Sequence, residues 1–267
     1  MAEIPHAKNR FPRTGTLLIV AVIVIVVGGF LIVWWPHFQN QRAIAAIEDL
    51  GGKTQTETER PGWIPDKIGD DKLKPYERVW EVNLNATTVQ DGDLAPLRGL
   101  TNVRDLSLDG AVVSDKGLEE LQDLANAEFL TLDNAYISNN GLRHLRGLKK
   151  LKYLRLDNTR TDDTGLEHLR NLTTLRELSL ENTQITDAGL VHLQALPHLK
   201  YLSLTNTRIS DAGLKHLHGL TSLSYLSLAK TDVTHEGVME IQNTLPNCYV
   251  HWKKLIEYPK RKSATVP

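Results

Sequence analysis

A chain of 267 residues with 41% hydrophobic content and a net charge of −1 is bounded in three ways. It is too apolar for a disordered chain, and too evenly charged for bulk attraction to nucleic acid or another polyanion. Its single cysteine, Cys248, excludes an internal disulfide framework.

The chain opens with a polar stretch, residues 1–16, carrying Lys8, Arg10 and Arg13. Leu17 to Trp35 follows, 19 residues without a charged side chain. As a helix rising 1.5 Å per residue this run is roughly 28 Å long, enough for a hydrocarbon core of about 30 Å. Trp34 and Trp35 stand where an aromatic belt would lie. A cleaved signal peptide has a shorter apolar region, and the nearest A-x-A, Ala43-Ile44-Ala45, falls well beyond Trp35. The run therefore reads as a single uncleaved transmembrane helix. Only Arg42 follows it at comparable distance, so the positive-inside rule keeps residues 1–16 cytoplasmic and the remainder extracytoplasmic.

Residues 37–78 read as an adaptor and N-terminal cap. Ala43, Ile44, Ile47 and Leu50 give a short amphipathic helix that stops at Gly51-Gly52. A polar run with Thr54, Thr56 and Thr58 follows, then P-G-W-I-P around Trp63. Ile44, Ile47, Leu50, Trp63 and Ile64 are expected to cover the first unit of the next segment.

That segment, residues 79–252, repeats every 24 residues. The second leucine of an L-x-L falls on Leu84, Leu108, Leu132, Leu156, Leu180, Leu204 and Leu228, and the next step reaches Trp252 in a degenerate V-H-W. Leu178-Ser179-Leu180 alternates as a strand buried on one face does. Asn182 and Thr183 mark a corner, Thr186-Asp187 a helix start, and Leu190, Leu193 and Leu196 the inner side of a short helix. One coil cannot bury these leucines alone, so stacked coils must share a core. Asp93 replaces the usual glycine in the first repeat. Ala127 and Thr161 replace larger apolar residues and predict local looseness. The pattern closes around Cys248, read as a small buried apolar group. Residues 253–267 are expected to form a basic, disordered tail.

With these positions assembled, the chain resembles leucine-rich repeat proteins of the subtype L-x-x-L-x-L-x-x-T-x-[IV]-[ST]-D-x-G-L, among them bacterial membrane-anchored ones. The resemblance spans Val79 to Trp252. It implies an α/β, right-handed solenoid with a concave parallel sheet and short outer helices, here preceded by the transmembrane helix. It also implies a protein-binding scaffold rather than an enzyme, and no cofactor.

Function then rests on surfaces made by stacking. Counting from the second leucine, positions three before, one before and one after are expected to face solvent on the concave sheet. They give an aromatic stripe with Phe129, Tyr153, Tyr201 and Tyr225; a hydroxyl stripe interrupted by Arg155; and an acidic stripe of Asp109, Asp133, Asp157 and Glu181. Tyrosine and arginine among small polar residues match the composition of binding hot spots, which points to a protein or peptide ligand. The same aromatics also suit strand pairing, and a structural envelope protein binding polysaccharide through them is the alternative. The carboxylates sit at a spacing compatible with glycoside hydrolysis, but a regular ladder supplies no cleft to separate two pKa values. Calcium could bridge the row. His144, His168, His192 and His216 form an outer column, whose linear arrangement is poor for tetrahedral zinc. Arg104, Lys152, Arg176 and Lys200 are expected to be balanced by the acidic stripe, which argues against nucleic acid.

Overall fold

The computed structural model describes residues 20, 22–24, 27–28 and 30–252. The tails 1–16 and 253–267, and residues 17–19, 21, 25–26 and 29 of the expected membrane span, lie outside the described residues. Among the described residues, no helix is long and apolar enough to cross a membrane.

One nine-stranded sheet runs in chain order. It comprises β1 (Lys53–Thr58), β2 (Glu77–Asn83), β3 (Asp105–Ser107), β4 (Phe129–Thr131), β5 (Tyr153–Arg155), β6 (Glu177–Ser179), β7 (Tyr201–Ser203), β8 (Tyr225–Ser227) and β9 (Tyr249–His251). From β2 onward every pairing is parallel and in register by repeat, as in Leu154↔Leu178 and Leu178↔Leu202. Equivalent residues of successive repeats therefore lie side by side, about 4.8 Å apart. The chain returns along the outer side through single helical turns. Some are α-helical, such as Asp163–Leu169, and others are 3-10, such as Gly189–Ala195. Leu178, Leu180, Ile185, Leu190, Leu193, Leu196 and Leu199 of one coil are all fully buried in the shared core.

Each letter of the repeat has a physical cause. Asn134, Asn158, Asn182 and Asn206 have positive φ, between 53° and 62°, at the corner after each strand. This left-handed conformation is the one asparagine tolerates best among residues with a Cβ. Thr159, Thr183 and Thr207 donate their hydroxyls to the carbonyls of Leu156, Leu180 and Leu204 at 2.6–2.7 Å, closing the turn inside the core. The aspartate of S/T-D-x-G-L serves the next coil rather than its own helix. Asp163 accepts the Thr186 N–H at 2.8 Å and the Thr186 hydroxyl at 2.5 Å, and Asp187 does the same for Ser210. The glycine three residues after the bonded Thr or Ser, in the next coil, is required by this contact: a Cβ at Gly189 would strike Asp163 Oδ1, and one at Gly213 would strike Asp187 Oδ1. A Cβ at Gly117 would lie 2.7 Å from Asp91 Oδ1, and one at Gly165 would lie 2.6 Å from Asn139 Oδ1. Asp93 occupies the glycine position in the first repeat, where its carboxylate accepts the Gln90 N–H at 2.9 Å in a capping box.

Two local expectations change. Thr161 is no weak point, because its buried hydroxyl pairs with that of Thr159 at 2.9 Å. The polar run with Thr54, Thr56 and Thr58 is strand β1, antiparallel to β2. It escapes notice in the sequence because an edge strand against solvent carries no apolar alternation. The helix before it, α1 (Trp35–Asp49), buries Ala43 and Ile47 against the core, with Ile44 and Leu50 half-covered. Gly51 then takes φ 79°, and the N–H groups of Gly51 and Gly52 return to Glu48 and Ile47, a Schellman stop. Ile64 is buried but does not join the repeat core it was expected to cover, and Trp63 is 74% exposed, edge-on to Tyr76. At the other end the Trp252 indole donates to the Val233 carbonyl at 3.0 Å beside strand β9. Cys248 is buried, and burial pushes its thiol up to about 11, which suits a packing residue rather than a nucleophile.

Candidate functional site

The residue three places before the second leucine opens each strand and points away from the core, since the next residue, a leucine in β3–β8, points in. This row brings Phe129 and Tyr153 into a parallel stack with centroids 4.1 Å apart, and Tyr201 and Tyr225 into another at 4.6 Å. Both stacks have an interplanar angle of 4°. Tyr249, in the closing strand, extends the second stack at 5.8 Å, tilted by 33°. It was missed in the sequence because V-H-W breaks the leucine signal, although one more step of 24 residues reaches it. Glu177 separates the two stacks. It is exposed and has no ion pair or side-chain hydrogen bond among the described residues. Phe129, Tyr153, Arg155, Glu177, Glu181 and Tyr201 line one recess of about 470 Å³ on this face. The buried Thr131 hydroxyl, also on the recess, has no hydrogen-bond partner.

The other two rows are less exposed than expected. Ser179, Ser203 and Ser227 are buried under their neighbours, as are Asp133 and Asp157. The acidic row is in the first place a backbone device. Asp109 Oδ1 accepts the Asp133 N–H at 3.0 Å, Asp133 Oδ1 that of Asp157 at 2.8 Å, and Asp157 Oδ1 that of Glu181 at 2.8 Å. Each carboxylate thus satisfies a strand-end N–H of the next coil, which would otherwise be left unpaired. Arg155 takes the second oxygens, donating Nε to Asp133 at 2.8 Å and Nη2 to Asp157 at 3.0 Å. A calcium ion bridging these two would have to displace that guanidinium. The sequence does not disclose this commitment, because a side chain one residue past a strand can face ligand or backbone equally well.

Burial is the largest influence on both buried acids and raises their pKa. Against it act the N–H of Asp157 and the Arg155 guanidinium for Asp133, and the Ser179 hydroxyl and Glu181 N–H for Asp157. A raised folded pKa means that the folded chain holds the proton more tightly than the unfolded chain does. The associated stability is complete below the ordinary value of 3.8 and is lost as pH rises through the raised one. Asp157→Asn keeps an Oδ1 acceptor but cannot titrate. Wild type is therefore expected to gain stability relative to Asp157→Asn as pH falls from neutrality toward 3.8, by urea unfolding at each pH. A pH-independent difference would contradict the burial argument.

The histidine column is a half-buried outer position. Burial, then the neighbouring Arg146 guanidinium, hold His168 below its ordinary pKa. Of the basic residues, Arg104 pairs with Glu57 and Lys152 with Glu128, both at 2.6 Å, so neither leans on the acidic row as expected. Arg176 and Lys200 make no ion pair among the described residues and share a separate recess with His198 at the strand entry.

Residues 173–216 match the family model described as leucine rich repeats, in two copies. The fold is that of a leucine-rich repeat protein. Among solved structures, internalin C2 of Listeria monocytogenes is 22% identical, with a TM-score of 0.55 over 79% of this chain and 92% of that one. A leucine-rich repeat protein of Leptospira interrogans is 18% identical, with a TM-score of 0.45 over 58% of this chain and 44% of that one. At such identities the likeness to internalin C2 speaks for the fold. No curated protein matches the chain. Leucine-rich repeats commonly act as protein-interaction scaffolds.

Proposed function

We propose that this leucine-rich repeat chain is a single-pass membrane protein that presents its concave sheet to a protein or peptide partner outside the cytoplasm. The observation that carries the binding reading is the pair of aromatic stacks on the open face, in register and flanking one recess. Aromatic groups beside an exposed arginine give contact area at little entropic cost. The membrane reading is supported by the charge bias of Lys8, Arg10 and Arg13 before the uncharged run 17–35. It gains further support from the exposure of Val20, Ile23, Val24, Leu31, Ile32, Trp34 and Trp35, all large apolar side chains. Trp63 and Ile32 line one recess with Pro61 and Tyr76, which adds apolar surface at this end of the solenoid.

A reporter active only outside the cytoplasm, fused after Trp252, is expected to be active, and the protein to stay with membranes through a carbonate wash. Reporter activity confined to the cytoplasm overturns the orientation, and release by carbonate overturns the anchor. Competition by soluble glycans for binding to isolated cell envelope would favour the polysaccharide alternative over a protein partner.

A further inference from the structure

The two aromatic stacks are not continuous, and the break has a chemistry of its own. Strands β5 and β7 lie two sheet spacings apart, so Tyr153 and Tyr201 stand on the order of 10 Å from one another. Phe129 covers one face of Tyr153 and Tyr225 covers one face of Tyr201. The opposite faces turn toward the slot between them, where Glu177 stands in the same row on the intervening strand. Glu177 is the residue of this row, between the stacks, that is charged and unpaired among the described residues. The recess carries the carboxylates of Glu177 and Glu181, with Asp133 and Asp157 beside them, against one guanidinium, that of Arg155. That guanidinium is already committed to Asp133 and Asp157. Arg176 and Lys200 line a different recess at the strand entry and do not ion-pair with Glu177.

We propose that the slot over Glu177, walled by Tyr153 and Tyr201, takes a lysine or arginine side chain of the partner polypeptide. A cation placed midway would lie about 5 Å from each ring, within the roughly 6 Å over which a ring face attracts it. Its methylene stem would pack between the rings while its charge reaches the carboxylate. An anionic or purely apolar side chain would instead leave Glu177 desolvated and unpaired. The slot thus gives the partner a required charge as well as a required shape. The proposal rests on the concave-face reading above and narrows it to one class of anchor residue.

The test uses the full chain in detergent micelles and a phage-displayed library of random linear peptides, with recovered peptides labelled and titrated by fluorescence anisotropy. Recovered peptides are expected to share a lysine or arginine at one position. Glu177→Gln should weaken them by about tenfold or more, as should replacing that basic residue with norleucine. The two changes together should cost little more than either alone. Glu177 is exposed and unpaired, so the variant retains the fold. Peptides that lose binding with Tyr153→Ala and Tyr201→Ala, yet show no basic preference or ignore Glu177→Gln, overturn the slot and leave the concave-face reading standing. Peptides indifferent to the tyrosine changes, or recovery of none, overturn both.

Discussion

Leu180→Ala in the central coil is expected to destabilise the protein by about 2–5 kcal/mol in urea unfolding, the range for a fully buried leucine cut back to alanine. Leu180 is 0% exposed and follows β6, between the equivalent leucines Leu156 and Leu204. The cavity opens in the middle of a core shared by adjacent coils, where neither neighbour can collapse far without breaking its own register. Ser179, the residue before it, is the control, and the structure changes what that control should show. A solvent-facing serine would cost within about 0.5 kcal/mol on truncation. Ser179 is instead buried, with its hydroxyl helping to hold the charge of the Asp157 carboxylate. Ser179→Ala is therefore expected to cost about 1–3 kcal/mol through the acceptor left short of a partner. A cost within about 0.5 kcal/mol at Leu180, the range of an exposed position, would place the wrong residue in the core.

The case of Ser179 marks where sequence reasoning runs out. The period of 24 residues identifies every strand from β2 to β9, and the inward leucines follow from it because stacking leaves them no other place. What periodicity cannot convey is the depth of a polar side chain beside its neighbours in the next coil. Asp133 and Asp157 look like ligand groups in a column of acids, yet one oxygen of each is held by an N–H one repeat away. The S/T-D-x-G-L signature reads as a helix start, and Ser138, Asp162, Ser210 and Thr234 do cap their helices; the role of the residue after the cap is what the sequence leaves out. Its aspartate reaches the following coil, and the glycine of that following coil is there because a Cβ would strike the carboxylate. Long-range satisfaction of this kind has no local signal. The aromatic column was legible, since position in the strand decides its direction, but the stacking and the gap at Glu177 required coordinates. Strand β1 and the exposure of Trp63 lay outside the repeat, where no period guides the reading.

The central claim is that binding energy is concentrated on the open sheet face, in the aromatic rings that border the recess. A few residues usually carry most of an interface, and large rings in a partly desolvated setting are the commonest of them. The measurement that tests this most directly compares wild type with the double variant Tyr153→Ala/Tyr201→Ala, using the partner found by proximity labelling from the repeat domain. The double variant is expected to lose at least about 2 kcal/mol of affinity, near thirtyfold. Both rings are half-exposed, so its unfolding should change little. His168→Ala/His192→Ala, on the outer turns, should leave the affinity unchanged. The opposite result, with the histidine changes abolishing binding and the tyrosine changes silent, would contradict the account and move the site to the other side of the solenoid.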